Sequence, residues 1–229
     1  IGTSAFSYPI TPQPLSTLIE KCEIIVVATI ENHEQFLKYY DVELKDTMII
    51  LGGEKIAKLH IKEILKGEPE NQRYINVSYN SSTICPEPPH YPDKKTVIAF
   101  LYKNERGEYR TQGLSYGSRI MDNEEKLSVF RTKIREYIKI LSIEDKREKE
   151  SATLEWLVEC AENKYTRWDG ARKLAGVGRI HMSEVPLRNK LSEEQRKRLS
   201  NTFFSADTIY SAELLLTGYI PEEEYPQLK

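Results

Sequence analysis

The sequence predicts an α+β protein in which a five-stranded Greek-key β-barrel precedes a small all-α domain of short antiparallel helices. Apolar and polar residues alternate through 54–67 and 74–79, which is the two-residue period of a strand with one buried face. From about Asn123 onward the period changes to three or four residues, which is typical of amphipathic helices. A charged stretch at 144–150 then separates the helix that closes the barrel from the helices that follow.

The N-terminal part is predicted to lead into the first strand. Residues 1–14 contain three prolines, so we expect an extended segment there. A short helix over 17–21 follows, and the nearly continuous apolar run 23–30 predicts a strand that is covered on both faces. The periodicity is lost over 31–46, where we expect a long loop or one or two helical turns.

The central hairpin is predicted from two adjacent runs. Residues 48–53, MIILGG, are typical of a strand that ends in a Gly-Gly turn. Residues 54–67, EKIAKLHIKEILKG, form its partner, with Ala57, Leu59 and Ile61 facing the core. His60 alternates onto the polar face, so we expect a solvated imidazole there rather than a ligand.

Four further segments complete the predicted sheet. In 74–79 the apolar residues again alternate, and 96–102, TVIAFLY, is a second buried strand. The short runs 108–111 and 116–121 supply the remaining pairing. The segment 81–93 contains four prolines and must be a long surface loop, a kind of segment that often carries function.

Capping signals and periodicity predict the helices. The apolar spacing of 127–141 predicts the helix that closes the barrel. Two capping-box patterns and one single cap mark later helix starts: Thr166 with Asp169, Ser192 with Gln195, and Asp207 alone. The predicted domains are thus an extended segment at 1–14, a barrel with its closing helix at 15–141, and a helical domain at 150–229.

Composition excludes two classes of function. The net charge is −2 and the isoelectric point is near 6.2, whereas a protein that holds nucleic acid needs a concentrated basic face. The longest apolar run, 24–30, is far shorter than the ~20 residues of a membrane span. We therefore expect no nucleic-acid partner and no membrane span.

The order of elements fits an OB-like barrel, and particular stretches carry a resemblance to a known family. LSTLIEKCEIIVVATI leads from a short helix into an apolar strand, AKLHIKEILKG ends in Leu-Lys-Gly, and VIAFLY supplies a later strand. Together they resemble the OB-fold domains of the tissue-inhibitor-of-metalloproteinase and netrin-like type found in exported bacterial proteins, over roughly residues 15–141. The inhibitors of that family chelate zinc through an N-terminal cysteine. This chain begins with Ile1, so that mechanism is not supported.

Export is expected from the start of the chain. The sequence begins IGTSAFSYPITPQP without a methionine, which indicates removal of a signal peptide and a periplasmic or secreted protein. A cytosolic protein that was trimmed explains the same start.

The three cysteines, Cys22, Cys85 and Cys160, show no CxxC spacing, so no zinc site is expected. In an oxidising compartment Cys22 and Cys85 are the best candidate disulfide, because both flank strands of one predicted domain. Three buried free thiols explain the sequence equally well. The family resemblance implies disulfides that tie the N-terminal segment to the barrel, which favours the Cys22–Cys85 pair.

No catalytic motif, metal site or cofactor site is predicted. We expect a non-enzymatic binding or interaction module whose partner is a protein, a peptide or a carbohydrate. The alternative is an enzyme or enzyme inhibitor with a site between the barrel loops and the helical domain. The candidate binding surface combines the proline-rich loop with tyrosines of the sheet: Tyr79, Cys85, His90, Tyr91, Tyr102 and Tyr109.

Overall fold

A computed structural model describes residues 13–44, 47–80, 87–176 and 187–206, together with Leu216. Within these residues the protein is α+β, with a closed mixed β-barrel of five strands and five α-helices. Two compact units are present. The barrel unit spans Leu18–Glu124, and the helical unit contains Pro14–Thr17 and the described residues from Glu125 onward.

Six β-segments build the barrel: β1 Ile24–Leu44, β2 Thr47–Lys66, β3 Tyr74–Asn80, β4 Thr96–Lys103, β5 Tyr109–Thr111 and β6 Ser118–Met121. Their order is β1–β2–β3–β5–β4, and β4 pairs back onto β1 to close the barrel. β6 continues the line of β5 along the same edge of β4. The neighbours are antiparallel except β3 and β5, which are parallel at Val77 and Tyr109.

The alternation predicted for the central strands is confirmed. In β2 the residues Ala57, Leu59 and Ile61 are buried, and in β3 so are Ile75 and Val77. They meet the buried residues of β1 and β4 in one core cluster inside the barrel. Burial of this apolar surface, at about 25 cal/mol per Å², is the main favourable term for the barrel.

The hairpin before these strands differs from the prediction. β1 continues from Ile24 to Leu44, so the loop or helical turns expected at 31–46 are wrong for the described residues 31–44. β2 runs without a break through Gly52 and Gly53, and the expected Gly-Gly turn is therefore also wrong. Three of the five irregularities in the β1–β2 register fall in this extension. A strand with such irregularities loses its two-residue period, which is why 31–44 reads as unpatterned.

Lys66 and Gly67 form the corner after β2. The Lys66 ammonium donates hydrogen bonds to the carbonyl oxygens of Ile19 (2.6 Å) and Cys22 (2.7 Å), at the C-terminal end of the first helix. Gly67 has φ +75°, and a Cβ atom there would lie 2.3 Å from the carbonyl oxygen of Glu23. Only glycine tolerates both the positive φ and the close approach of the Glu23 carbonyl oxygen, so position 67 requires glycine.

Five helices lie in the described part of the chain: α1 Leu15–Lys21, α2 Glu124–Leu141, α3 Lys146–Glu162, α4 Arg167–Ala175 and α5 Glu193–Phe204. The predicted apolar face of α2 is confirmed, since Leu127, Phe130, Ile134 and Tyr137 are buried. The charged stretch 144–150 is not a linker, because Asp145 caps α3 by accepting a hydrogen bond from the Glu148 N–H.

The two predicted capping boxes have different outcomes. The box of Ser192 and Gln195 is confirmed, with both reciprocal hydrogen bonds present at the start of α5. The box of Thr166 and Asp169 is wrong. The Thr166 hydroxyl donates to the carbonyl oxygen of Cys160 (2.9 Å), and the buried Asp169 carboxylate accepts from the Leu15 N–H (2.8 Å). Asp169 thus satisfies an otherwise unpaired N–H at the start of α1.

From Glu125 onward α2 belongs to the helical unit, whereas the sequence predicts that it closes the barrel. The boundaries 15–141 and 150–229 stay a prediction about domains. The helix predicted to begin at Asp207 lies outside the described residues. Across the part of the chain that the structure describes, no helix is both long enough and apolar enough to cross a membrane.

Candidate functional site

An open cavity of about 440 Å³ lies on the outer face of the barrel, where β2, β3 and β5 meet. We call it the β3 groove. Its floor is β3, one wall is Lys58 of β2, and the other wall is the β4–β5 turn with residues 107–109. Glu70 and Asn71, which precede β3, close one end. This volume lies within the ~300–1,000 Å³ typical of small-molecule sites.

The floor follows from the alternation of β3. Because Ile75 and Val77 point into the core, Tyr74, Asn76 and Ser78 must lie on the opposite face. All three line the groove. The register with β2 places Tyr74 beside His60, Asn76 beside Lys58 and Ser78 beside Ile56.

The Tyr74 ring is held by β2. It stacks on the His60 imidazole with ring centroids 4.8 Å apart and planes 22° apart. The Lys58 ammonium lies 4.3 Å from the Tyr74 ring centroid and 3.7 Å from a Glu31 carboxylate oxygen. His60, predicted to face solvent, thus stacks on a tyrosine, and the predicted binding surface does not include Tyr74. The signal was available, since Tyr74 alternates outward at the position where β3 begins.

Tyr109, one of the residues of the predicted binding surface, forms the opposite wall of the groove. Its hydroxyl accepts a hydrogen bond from the Glu70 N–H (3.2 Å). The Lys103 ammonium lies 5.2 Å from the Tyr109 ring centroid and 2.6 Å from Glu70 Oε1. The hydrogen bond to Glu70 raises the pKa of Lys103. The ring is therefore held by the Lys103 cation above it and by the hydrogen bond to its hydroxyl.

The β4–β5 turn is organised by Asn104. Its Oδ1 accepts hydrogen bonds from the N–H groups of Arg106 (3.0 Å) and Glu108 (2.9 Å). Its Nδ2 donates to Glu108 Oε2 (2.8 Å), and Arg110 donates to the same oxygen (2.9 Å). The hydrogen bond from Asn104, followed by that from Arg110, lowers the pKa of Glu108. Arg110 also pairs with Glu54 of β2.

Tyr102 and His90 lie outside the β3 groove. Tyr102 lines a second cavity of about 430 Å³ at the β4–β5 turn, with residues 103–106. His90 is exposed, and its backbone N–H donates to Ser118 Oγ (2.9 Å). The structure therefore does not gather the predicted surface residues into one site.

Tyr79 and Tyr91 are not on the surface, which corrects the predicted binding surface. They are 8% and 3% exposed, and their ring centroids lie 5.5 Å apart in the barrel core. Tyr79 shares the inward face of β3 with Val77. The Tyr91 hydroxyl lies 2.7 Å from Thr111 Oγ1, and burial raises the Tyr91 pKa. These tyrosines stabilise the core rather than contact a ligand.

Cys22 is a buried free thiol, and burial raises its pKa to about 11. Cys160 is also free and buried, and burial raises its pKa well above the usual value. Cys85 lies outside the described residues, so the Cys22–Cys85 disulfide stays a prediction. A thiol in such an apolar site is a poor nucleophile, because the thiolate is the reactive form.

The helical unit contains a cleft of about 780 Å³ between α3 and the start of α5. Its lining includes Arg147, Ser151 and Gln195, and Lys190 pairs with Glu150 across it. No aromatic side chain is among the residues that line it. It is thus larger than the β3 groove, but it offers fewer groups that would orient a ligand.

Among the described residues, no group of three His, Cys, Asp or Glu side chains could hold a metal ion. The β3 groove instead offers two tyrosine rings, two asparagine amides and a serine hydroxyl. These groups can stack and form hydrogen bonds. No protein-family model matches the sequence, and no curated protein matches it either.

Proposed function

We propose that this protein is a non-enzymatic binding module whose contact surface is the β3 groove. The observation that carries the proposal is the fixed position of two aromatic rings, Tyr74 on the floor and Tyr109 in one wall. Tyr74 is held by His60 and Lys58, and Tyr109 is held by Glu70 and Lys103. Aromatic groups that are already ordered lose little entropy when a ligand binds, which favours affinity.

The direction of the pKa shift of Glu108 favours a binding role for the groove over a catalytic one. A general acid or base works best when its pKa is near the working pH. Glu108 has its pKa moved the other way, because Asn104 and Arg110 stabilise the carboxylate. Glu108 is thus a fixed anion that supports the wall.

The strand order supports assignment of the barrel to the OB fold. β1 pairs with both β2 and β4, and β3 runs parallel to β5. OB folds bind ligands on the face of strands 2 and 3, between the loops that follow strands 1 and 4. The β3 groove has this location, since β2, β3 and the β4–β5 turn line it.

The resemblance to tissue-inhibitor-of-metalloproteinase and netrin-like domains belongs to the same proposal, and so does export to the periplasm or outside the cell. The Leu-Lys-Gly corner supports the resemblance, because Lys66 and Gly67 join the end of β2 to the end of α1. Fractionation of cells that express the natural gene tests export. Recovery of the protein from the cytosol alone would contradict it.

The binding function is tested by filling the groove. The full chain and its Asn76→Trp variant are used to probe a glycan array and a displayed peptide library. Asn76 is exposed on the floor, so tryptophan there blocks the groove without entering the core. Lys62→Trp, at an exposed position of β2 outside the groove, is the control. We expect ligands that bind the wild type and the control but not Asn76→Trp. Ligands that bind all three proteins equally would overturn the proposal.

A further inference from the structure

The charged side chains that line the β3 groove are all in ion pairs. Lys58 pairs with Glu31 (3.7 Å), Glu70 with Lys103 (2.6 Å) and Glu108 with Arg110 (2.9 Å). The lining itself carries one lysine and two glutamates. A polyanion such as nucleic acid or a sulfated glycan would therefore meet no unpaired cationic surface in the groove.

The remaining lining groups are neutral and polar. Asn71 uses its Oδ1 to accept hydrogen bonds from the N–H groups of Arg73 (2.8 Å) and Tyr74 (3.2 Å), which leaves its Nδ2 for a ligand. Asn76 is exposed on the floor, whereas Ser78, two residues further along the same face of β3, is only 8% exposed. Amide and hydroxyl groups can both donate and accept hydrogen bonds.

We propose that the ligand of the β3 groove is a neutral oligosaccharide, an inference that rests on the binding function proposed above. A sugar ring has a face of C–H groups, which suits the electron-rich face of Tyr74 or Tyr109. The hydroxyls at its rim suit the exposed amides of Asn71 and Asn76. An added peptide strand is less suited, because such recognition needs an open sheet edge and β5 already pairs with this edge of β3 at Val77.

The test is a calorimetric titration of the full chain with uncharged hexasaccharides, namely cellohexaose, xylohexaose, maltohexaose and chitohexaose. A heparin-derived hexasaccharide is the anionic comparison. Tyr74→Ala removes the aromatic ring on the floor of the groove. Tyr102→Ala is the matched control, since it truncates a half-buried strand tyrosine outside the groove. We expect one neutral sugar to bind, a loss of about tenfold in affinity for Tyr74→Ala, and a change of less than about twofold for Tyr102→Ala.

The failures can be told apart. If only peptides bind, and Tyr74→Ala abolishes that binding, the sugar inference falls and the binding function stands. If the heparin fragment binds better than every neutral sugar, the argument from paired charges is wrong. If neutral sugars bind equally to the wild type and to both variants, the groove is not their site. If no sugar and no peptide binds at the groove, both proposals fall.

Discussion

The Nζ atom of Lys66 lies 2.6 Å from the carbonyl oxygen of Ile19, which ties the end of β2 to the last turn of α1. A helix leaves its final carbonyl groups unpaired, and a cation there is favoured both by hydrogen bonding and by the helix dipole. The same ammonium reaches the carbonyl oxygen of Cys22 at 2.7 Å. One side chain therefore fixes how the N-terminal helix enters the barrel.

Replacement of Lys66 by methionine tests this role. The aliphatic stem is retained and both hydrogen bonds are lost, so we expect the free energy of unfolding to fall by about 2 kcal/mol. Urea unfolding measures the change. The control is Lys62→Met on the exposed face of β2, which should change stability by less than about 0.5 kcal/mol. Equal effects of the two variants would show that Lys66 does not cap α1.

Gly67→Ala is expected to be more damaging than Gly107→Ala. Both glycines have φ near +75°, so both variants carry the same conformational cost of about 1 kcal/mol. The new Cβ at position 67 meets the Glu23 carbonyl oxygen at 2.3 Å, whereas at position 107 nothing lies within 4 Å. We expect a total loss of about 3 kcal/mol for Gly67→Ala in the same unfolding assay. Matched losses in the two variants would contradict the close approach at the corner.

Asp169 is expected to stabilise the start of α1 through its hydrogen bond with the Leu15 N–H (2.8 Å). Asp169→Ala leaves that buried N–H unpaired and should cost about 2 kcal/mol of unfolding free energy. Asp169→Asn keeps an acceptor oxygen of the same size and should cost less. Hydrogen exchange of the Leu15 amide gives a local measure. Unchanged protection of that amide in Asp169→Ala would show that the hydrogen bond is not formed.

Stability under reducing conditions is expected to fall at alkaline pH. Burial raises the pKa of Cys22 from 9.0 to about 11. Between these values the unfolded thiol has lost its proton and the folded thiol has not, so the unfolded state binds fewer protons and stability declines as pH rises. The contribution is complete below pH 9 and is lost by about pH 11. Cys22→Ala should flatten this part of the profile, and an unchanged slope would mean that the thiol titrates normally.

Non-reducing mass analysis of the unfolded chain tests the Cys22–Cys85 disulfide. The bridge predicts one alkylated cysteine before reduction and three after it. Three alkylated cysteines without reduction would refute the bridge.

Local patterns were enough to predict the central strands, but not the parts of the fold set by distant contacts. The alternation in β3 identifies which side chains face inward, and thereby also Tyr74, Asn76 and Ser78 on the outside. Thr166 and Asp169 show the limit. Their spacing is that of a capping box, yet Asp169 bonds to Leu15, which is 154 residues away. No local pattern reports such a partner.

Local patterns also cannot predict which residues the fold brings together in the candidate site. Tyr109 meets β3 only because β3 and β5 run parallel at Val77, a pairing that local periodicity cannot reveal. The predicted surface includes Tyr79 and Tyr91 because tyrosine is amphipathic and suits both surface and core. The fold buries both of them. The outward position of Tyr74 follows from the alternation of β3, whereas its contacts with His60 and Lys58 depend on the register with β2.

The most direct test of the binding function is to map amide chemical shifts in NMR spectra of the full chain during titration with the neutral hexasaccharides. We predict that the largest shifts cluster at 74–78 and 107–109, which line the β3 groove, and that Asn76→Trp removes them. Saturable shifts confined to the helical cleft lined by Arg147, Ser151 and Gln195 would show that the β3 groove is not the binding site.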